Sequence, residues 1–194
     1  MSTNLDPLPI VRTTRLILDS FLVTDADRVA QLAGSREIAD STMNIPHPYQ
    51  IEDARRWIAG HAEMHGRGLA VHFAIRSEPH QLLGCVSLGI SPRDRRAELG
   101  YWIGRPFWGR GYATEAADAC VKLAFDRLGL IRITSRHFLA NPASGRVLEK
   151  IGMTREGLLP CHLFKAGVWH DIAEYGLLRA QLDVPRMPQP IAST

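Results

Sequence analysis

The stretch from Ala97 to Leu128 constrains the fold more than any other part of the chain. Ala97, Leu99, Tyr101 and Ile103 alternate with Glu98, Gly100 and Trp102, which predicts a strand with two distinct faces. Trp108-Gly109-Arg110-Gly111-Tyr112-Ala113-Thr114-Glu115-Ala116 follows, with two glycines bracketing an arginine. Ala117, Cys120, Val121, Ala124, Phe125 and Leu128 then form an apolar stripe at helical spacing, and Gly129 is a suitable stop. Strand, glycine turn and helix in this order bring free main-chain N–H groups and the positive end of a helix dipole to one place. Such a place binds phosphate.

The rest of the chain reads as the frame around that unit. Arg15 to Leu18 is a short strand, and Thr24-Asp25-Ala26-Asp27 has the form of a helix start leading to about Ala33. Ile45-Pro46-His47-Pro48-Tyr49 cannot be helix interior, whereas Ala54, Trp57, Ile58 and His61 recur at helical spacing. Leu69 to Ile75 and Leu82 to Ile90 are strands, and Ser91-Pro92-Arg93-Asp94 turns the second into the Ala97 strand. Ile131 to Leu139 is a further strand. Asn141-Pro142 caps and opens a helix that ends at Gly152, and Met153 to Phe164 and Trp169 to Leu178 form a closing pair of strands. We therefore expect an α/β chain with a mixed, mostly antiparallel sheet of about seven strands and about four helices. Residues 1–12 read as a lead-in, 13–180 as one domain and 181–194 as a tail.

At 194 residues the chain is long enough for one domain with a substantial core. No apolar run is long enough to span a bilayer and the start has no secretion-signal pattern, so neither a membrane nor export is expected and a cytoplasmic location is. Cys85, Cys120 and Cys161 are far apart in apolar segments and read as buried thiols, and the eight histidines show no metal spacing. A net charge of +3 suits an anionic ligand but does not argue for nucleic acid.

In this order the elements resemble the GNAT superfamily of acyl-CoA-dependent N-acetyltransferases, in particular its RimJ/RimL-type branch. The likeness rests on Ala97 to Ile103, on Trp108 to Ala116, on Asn141 to Met153 and, more weakly, on Thr13-Thr14-Arg15-Leu16-Ile17-Leu18. It implies the GNAT α+β fold, acetyl-CoA as co-substrate with no metal, and direct attack by a primary amine. A protein N-terminal α-amine is the favoured acceptor. A polyamine, amino-sugar or antibiotic amine is the alternative, as are another acyl-CoA donor such as succinyl-CoA and an acyl-CoA-binding module without turnover. A homodimer is expected only by analogy.

The resemblance also assigns residues. Main-chain groups of Gly109, Arg110, Gly111, Tyr112, Ala113 and Thr114 would grip the diphosphate, with Trp108 at the position where the superfamily usually has Gln or Arg. Arg105, Arg146 and Lys150 are further phosphate candidates. Main-chain groups of Trp102 and Ile103 would meet the pantetheine arm, and Asn141 would bond it. Ser144 would stand near the sulfur as proton donor, or else is an ordinary helix-start serine; Leu148 stands where many members have a tyrosine as the acid. Glu98 is the candidate base, or else a carboxylate paired with Arg95 or Arg96; Leu163 stands where a RimL-type acid is expected. His47, Pro48, Tyr49, Trp57, His72, His162, Trp169 and His170 are candidates for the acceptor cleft, and Asp171 for fixing the last hairpin.

Overall fold

The computed structural model describes residues 7–78 and 80–182. Eight strands form one sheet: β1 (Val11–Arg12), β2 (Leu16–Asp19), β3 (Ala70–Ser77), β4 (Gln81–Ser91), β5 (Arg96–Ile103), β6 (Arg132–Phe138), β7 (Thr154–Lys165) and β8 (Val168–Leu178). Their order is β1-β2-β3-β4-β5-β6-β8-β7, and every pairing is antiparallel except β5 with β6. The helices are α1 (Ala26–Ala33), α2 (Arg36–Ser41), α3 (Ile51–Gly66), α4 (Tyr112–Asp126) and α5 (Pro142–Lys150). The architecture is the one expected, with one strand and one helix more than read from sequence. β1 has only two residues and falls inside the presumed lead-in, and α2 has six, so neither carries a readable period. Residues 1–6 and 183–194, parts of the expected lead-in and tail, lie outside the described residues.

The predicted stripe of α4 is the centre of the core. Ala116, Ala117, Cys120, Val121, Ala124 and Phe125 are all buried, and they share one cluster with Leu18, Phe73, Ile75 and Leu88 from the strands. Burying such side chains contributes about 1.5–3 kcal/mol each for the larger ones. Asn141 caps α5 as predicted, its side-chain oxygen accepting from the Ser144 N–H at 3.3 Å, with Pro142 in the first turn.

Arg76 of β3 is buried and closes the other end of the sheet. Its Nε donates to Asp19 at 2.7 Å, and Nη1 and Nη2 donate to the two oxygens of Asp25 at 3.0 and 2.7 Å. Asp25 also accepts from the Leu22 N–H at 2.7 Å, so the turn of 3₁₀-helix Val23–Asp25 precedes α1 and moves the helical start upstream of the expected Thr24 cap. Cys85 and Cys120 are buried as expected, but Cys161 is exposed. It sits at an irregularity of the edge strand β7, with φ +47°, where the register between Leu159 and Leu163 slips and the chain leaves the ladder. Among the described residues no helix is long and apolar enough to cross a membrane, and no cluster of His, Cys, Asp or Glu could hold a metal ion.

Candidate active site

The parallel pairing of β5 with β6 covers only Arg96–Glu98 against Arg132–Thr134. Beyond Glu98 the strands diverge, and the Ser135 hydroxyl reaches across to donate to the Leu99 carbonyl at 2.8 Å. The Gly104 N–H donates to Leu83 of β4, so by the alternation of an antiparallel ladder the main-chain groups of Trp102 face β4. Those of Tyr101 and Ile103 face the gap. Of the two residues expected to meet a pantetheine arm with their backbone, Ile103 is therefore placed for it, while Trp102 is turned to β4 and Tyr101 takes its place. The indole N–H of Trp108 donates to the Ile103 carbonyl and fastens the end of β5, which leaves the Ile103 N–H turned to the opening.

Two cavities meet at this gap. The first, of about 290 Å³, is lined by ten of the eleven residues expected at the cofactor: Trp102, Ile103, Trp108, Gly109, Gly111, Tyr112, Ala113, Thr114, Asn141 and Ser144. Arg110 is the exception; its side chain is exposed and its carbonyl accepts from Arg15 Nη1 at 3.0 Å. Gly109 and Gly111 have φ of +76° and +80°, a region in which residues with a Cβ are strained. Gly111 is the N-cap of α4 and offers no side chain to its first turn, so those N–H groups stay available. An N–H-rich turn at the head of a 15-residue helix fits a diphosphate. Arg146 and Lys150 lie in the same cavity, whereas Arg105 stacks on Trp108 at 4.9 Å and stands 3.9 Å from Glu37.

The second cavity, of about 420 Å³, holds Glu98, Tyr49, Trp57 and His72. Of the other expected cleft residues, His47 is exposed with Nδ1 3.1 Å from the Gly34 carbonyl, His170 packs on Phe138, and Trp169 pairs with Phe164 at the hairpin tip. Pro48 and His162 likewise are not among the residues that line it. His72 stacks on His61 at 4.1 Å, with Trp57 edge-on to both. Burial pushes His61 down to about 3, helped by His72, and His72 down to about 4, so this wall is uncharged near neutral pH. Glu98 is paired neither with Arg95 nor with Arg96 but with Arg136 of β6, at 2.9 and 3.3 Å. Arg95 instead donates to the Gly129 carbonyl.

Ser41, Thr42, Tyr101, Trp102 and Ser144 line both cavities and form their seam. Tyr101 Oη lies 2.8 Å from Ser144 Oγ and 3.0 Å from the Ser144 carbonyl. Burial pushes the Tyr101 phenol up to about 12, so it remains a hydroxyl. Tyr101 was legible only as an apolar-face residue of a strand. Leu148 is wholly buried and sends nothing to the seam.

The loop that roofs both cavities is pinned from two sides. Asn141 Nδ2 donates to the Ser41 carbonyl at 3.2 Å. Lys165, the last residue of β7, places Nζ 2.6, 2.5 and 2.8 Å from the carbonyls of Ala39, Thr42 and Ile45. Asp171 fixes that hairpin midway along its length, at the slip in register, by accepting from the Cys161 N–H at 2.8 Å, as expected.

A sheet edge opened beside an N–H-rich glycine turn is the architecture of an acyl-CoA-dependent transferase. Residues 15–154 match the acetyltransferase (GNAT) domain, and the chain belongs to this family: it is an acetyl-CoA-dependent N-acetyltransferase of the RimJ/RimL-like branch. It is 30% identical over 173 residues to the uncharacterized N-acetyltransferase YoaA of Bacillus subtilis, covering 88% of this chain and 97% of that one. It is 30% identical over 136 residues to the ribosomal-protein-serine acetyltransferase of Escherichia coli, covering 69% of this chain and 75% of that one. RimL, a ribosomal-protein alpha-N-acetyltransferase solved in complex with coenzyme A, has the same fold, with a TM-score of 0.81 at 23% identity over 88% of this chain and 98% of that one.

Proposed function

We propose that the acceptor is a protein N-terminal α-amine. The observation that carries this reading is the pairing of Glu98 with Arg136: both oxygens of the carboxylate in the acceptor cavity already accept from a guanidinium, which leaves it fewer lone pairs with which to meet an amine. An α-amine, with a pKa of ~7.7–8.0, has an appreciable neutral fraction near pH 7, whereas a lysine-type amine at ~10.4 is almost wholly charged. The name of the Escherichia coli relative points the same way.

In this reading the turn from Gly109 to Thr114 holds the diphosphate, and the open edge of β5 holds the pantetheine amides as a neighbouring strand would. The Ile103 N–H holds the thioester oxygen as it gains negative charge. The amine forms its bond to the acetyl carbon and passes its proton to Glu98 through water, Arg136 orienting the carboxylate. The carbon–sulfur bond breaks, and Ser144 gives its hydroxyl proton to the leaving thiolate and takes one back from water, while Tyr101 fixes the position of its oxygen.

Thiol release from acetyl-CoA, followed with peptides, polyamines and aminoglycosides, tests the acceptor class. With a peptide, kcat/KM is expected to level off above about pH 8, the ionisation of an α-amine. A profile still rising toward pH 10, or turnover confined to polyamines or aminoglycosides, overturns the reading. Glu98→Gln is expected to lower kcat/KM by about tenfold or more below pH 8, at the low end or beneath the usual span for a general base, and by less above it; an unchanged profile removes Glu98 as base. Ser144→Ala is expected to lower kcat by about tenfold, and Tyr101→Phe by less. A loss confined to KM would assign both to binding.

A further inference from the structure

We infer that Arg15, in the weakest of the sequence motifs, is a positioning residue that holds the phosphate-binding turn in its working shape; this rests on the reading that the turn grips the diphosphate of coenzyme A. Arg15 lies just before β2, about a hundred residues from the turn in sequence, yet its guanidinium is built into it. Nε and Nη2 both reach Glu115 Oε2 at 2.7 Å, and Nη1 donates to the Arg110 carbonyl at 3.0 Å. The guanidinium carbon lies 4.9 Å from the centre of the Tyr112 ring. The Arg15 N–H and the Thr13 hydroxyl occupy the other Glu115 oxygen, at 2.9 and 2.6 Å.

Two physical effects follow from these contacts. A peptide unit is planar, with its C=O and N–H pointing in opposite directions. By drawing the Arg110 carbonyl to itself, Arg15 aims the Gly111 N–H the other way, at the inside of the turn. Glu115, in the first turn of α4, would otherwise place a negative charge beside an anion site. Burial opposes its charged form, yet Thr13 and Arg15 together hold its carboxyl below the usual range, so it stays ionised and its charge is matched by Arg15. An added Cβ at Gly111 would come within 3.4 Å of Arg15 Nη2, which shows how closely the brace follows the turn.

The test compares coenzyme A, which has the diphosphate, with pantetheine, which lacks it, by titrating the fluorescence of Trp102 and Trp108 in the cavity. Arg15→Ala is expected to weaken coenzyme A by about tenfold, the worth of a charged hydrogen-bond set, and to leave pantetheine within about twofold. Arg15→Lys keeps the charge without the two-pronged geometry and is expected to recover only part of the loss. Steady-state rates should show the loss in KM for acetyl-CoA and little of it in kcat. Equal weakening of both ligands, full recovery by lysine, or unchanged coenzyme A affinity overturns the inference. Wild-type protein that binds coenzyme A no more tightly than pantetheine overturns the diphosphate reading itself, and the role of Arg15 with it.

Discussion

Gly111→Glu is expected to lower the affinity for coenzyme A by about a thousandfold or more, equivalent to at least about 4 kcal/mol. Three effects combine. Gly111 has φ of +80°, a conformation that costs a residue with a Cβ roughly 1–2 kcal/mol. The new carboxylate stands at the N-cap of α4, where the turn is to meet a diphosphate, so two anions compete for the same N–H groups. It also lies against Arg15 and draws the guanidinium from the Arg110 carbonyl. Gly111→Ala separates strain from charge and should lose only about tenfold, in line with the strain cost alone. Isothermal titration with coenzyme A, with melting of the ligand-free variants as a control for folding, checks both. Binding by the glutamate variant within a few-fold of wild type would remove the turn as the phosphate site.

Arg76→Ala is expected to be the most destabilising single change at a site remote from the chemistry, by about 3–5 kcal/mol, because it leaves carboxylates without their partner. Asp19 and Asp25 both point at the guanidinium and their side chains are only 24% and 12% exposed. For a domain of this size the melting temperature should fall by about 10 °C. Thermal and denaturant unfolding measure the loss, and one below about 1 kcal/mol would show that water replaces the guanidinium without penalty. Because Asp25 also holds the Leu22 N–H, the damage should begin at the entry to α1, which hydrogen exchange would report as early opening of Val23–Ala33.

Much of this was written in the order of residues. The alternation from Ala97 to Ile103, the glycines at 109 and 111 and the stripe of α4 dictated strand, turn and helix because each depends on local periodicity or on a positive φ. The same features located the cavity beside the turn, the one we propose for the cofactor, since N–H groups at a helix start are a local property. What escaped the sequence depends on distant parts of the chain. The gap between β5 and β6 requires two strands some thirty-six residues apart in sequence to pair over three residues and then part. Arg136 as the partner of Glu98, and Arg15 as the partner of Glu115, join residues about forty and one hundred positions apart. Tyr101 was placed on its strand face correctly, but its hydroxyl acquires meaning only from α5, which brings Ser144 to it. Sequence order assigned Cys161 to a buried position for want of any signal that β7 is an edge.

The lysine at the tip of the last hairpin has a chemical corollary. Lys165 binds the carbonyls of Thr42 and Ile45, two residues that line the larger of the two cavities, so an enzyme that acylates amines carries an amine of its own beside that cavity. Burial lowers its pKa and Asp40 opposes this only in part, but its three bonds to three carbonyls take three N–H groups, which an ammonium supplies and a neutral amine does not. A nitrogen committed in this way has no lone pair to offer a thioester. The latch is thus also withheld from the chemistry beside it: a nitrogen whose hydrogens are all given to carbonyls is not itself an acceptor for an acyl group.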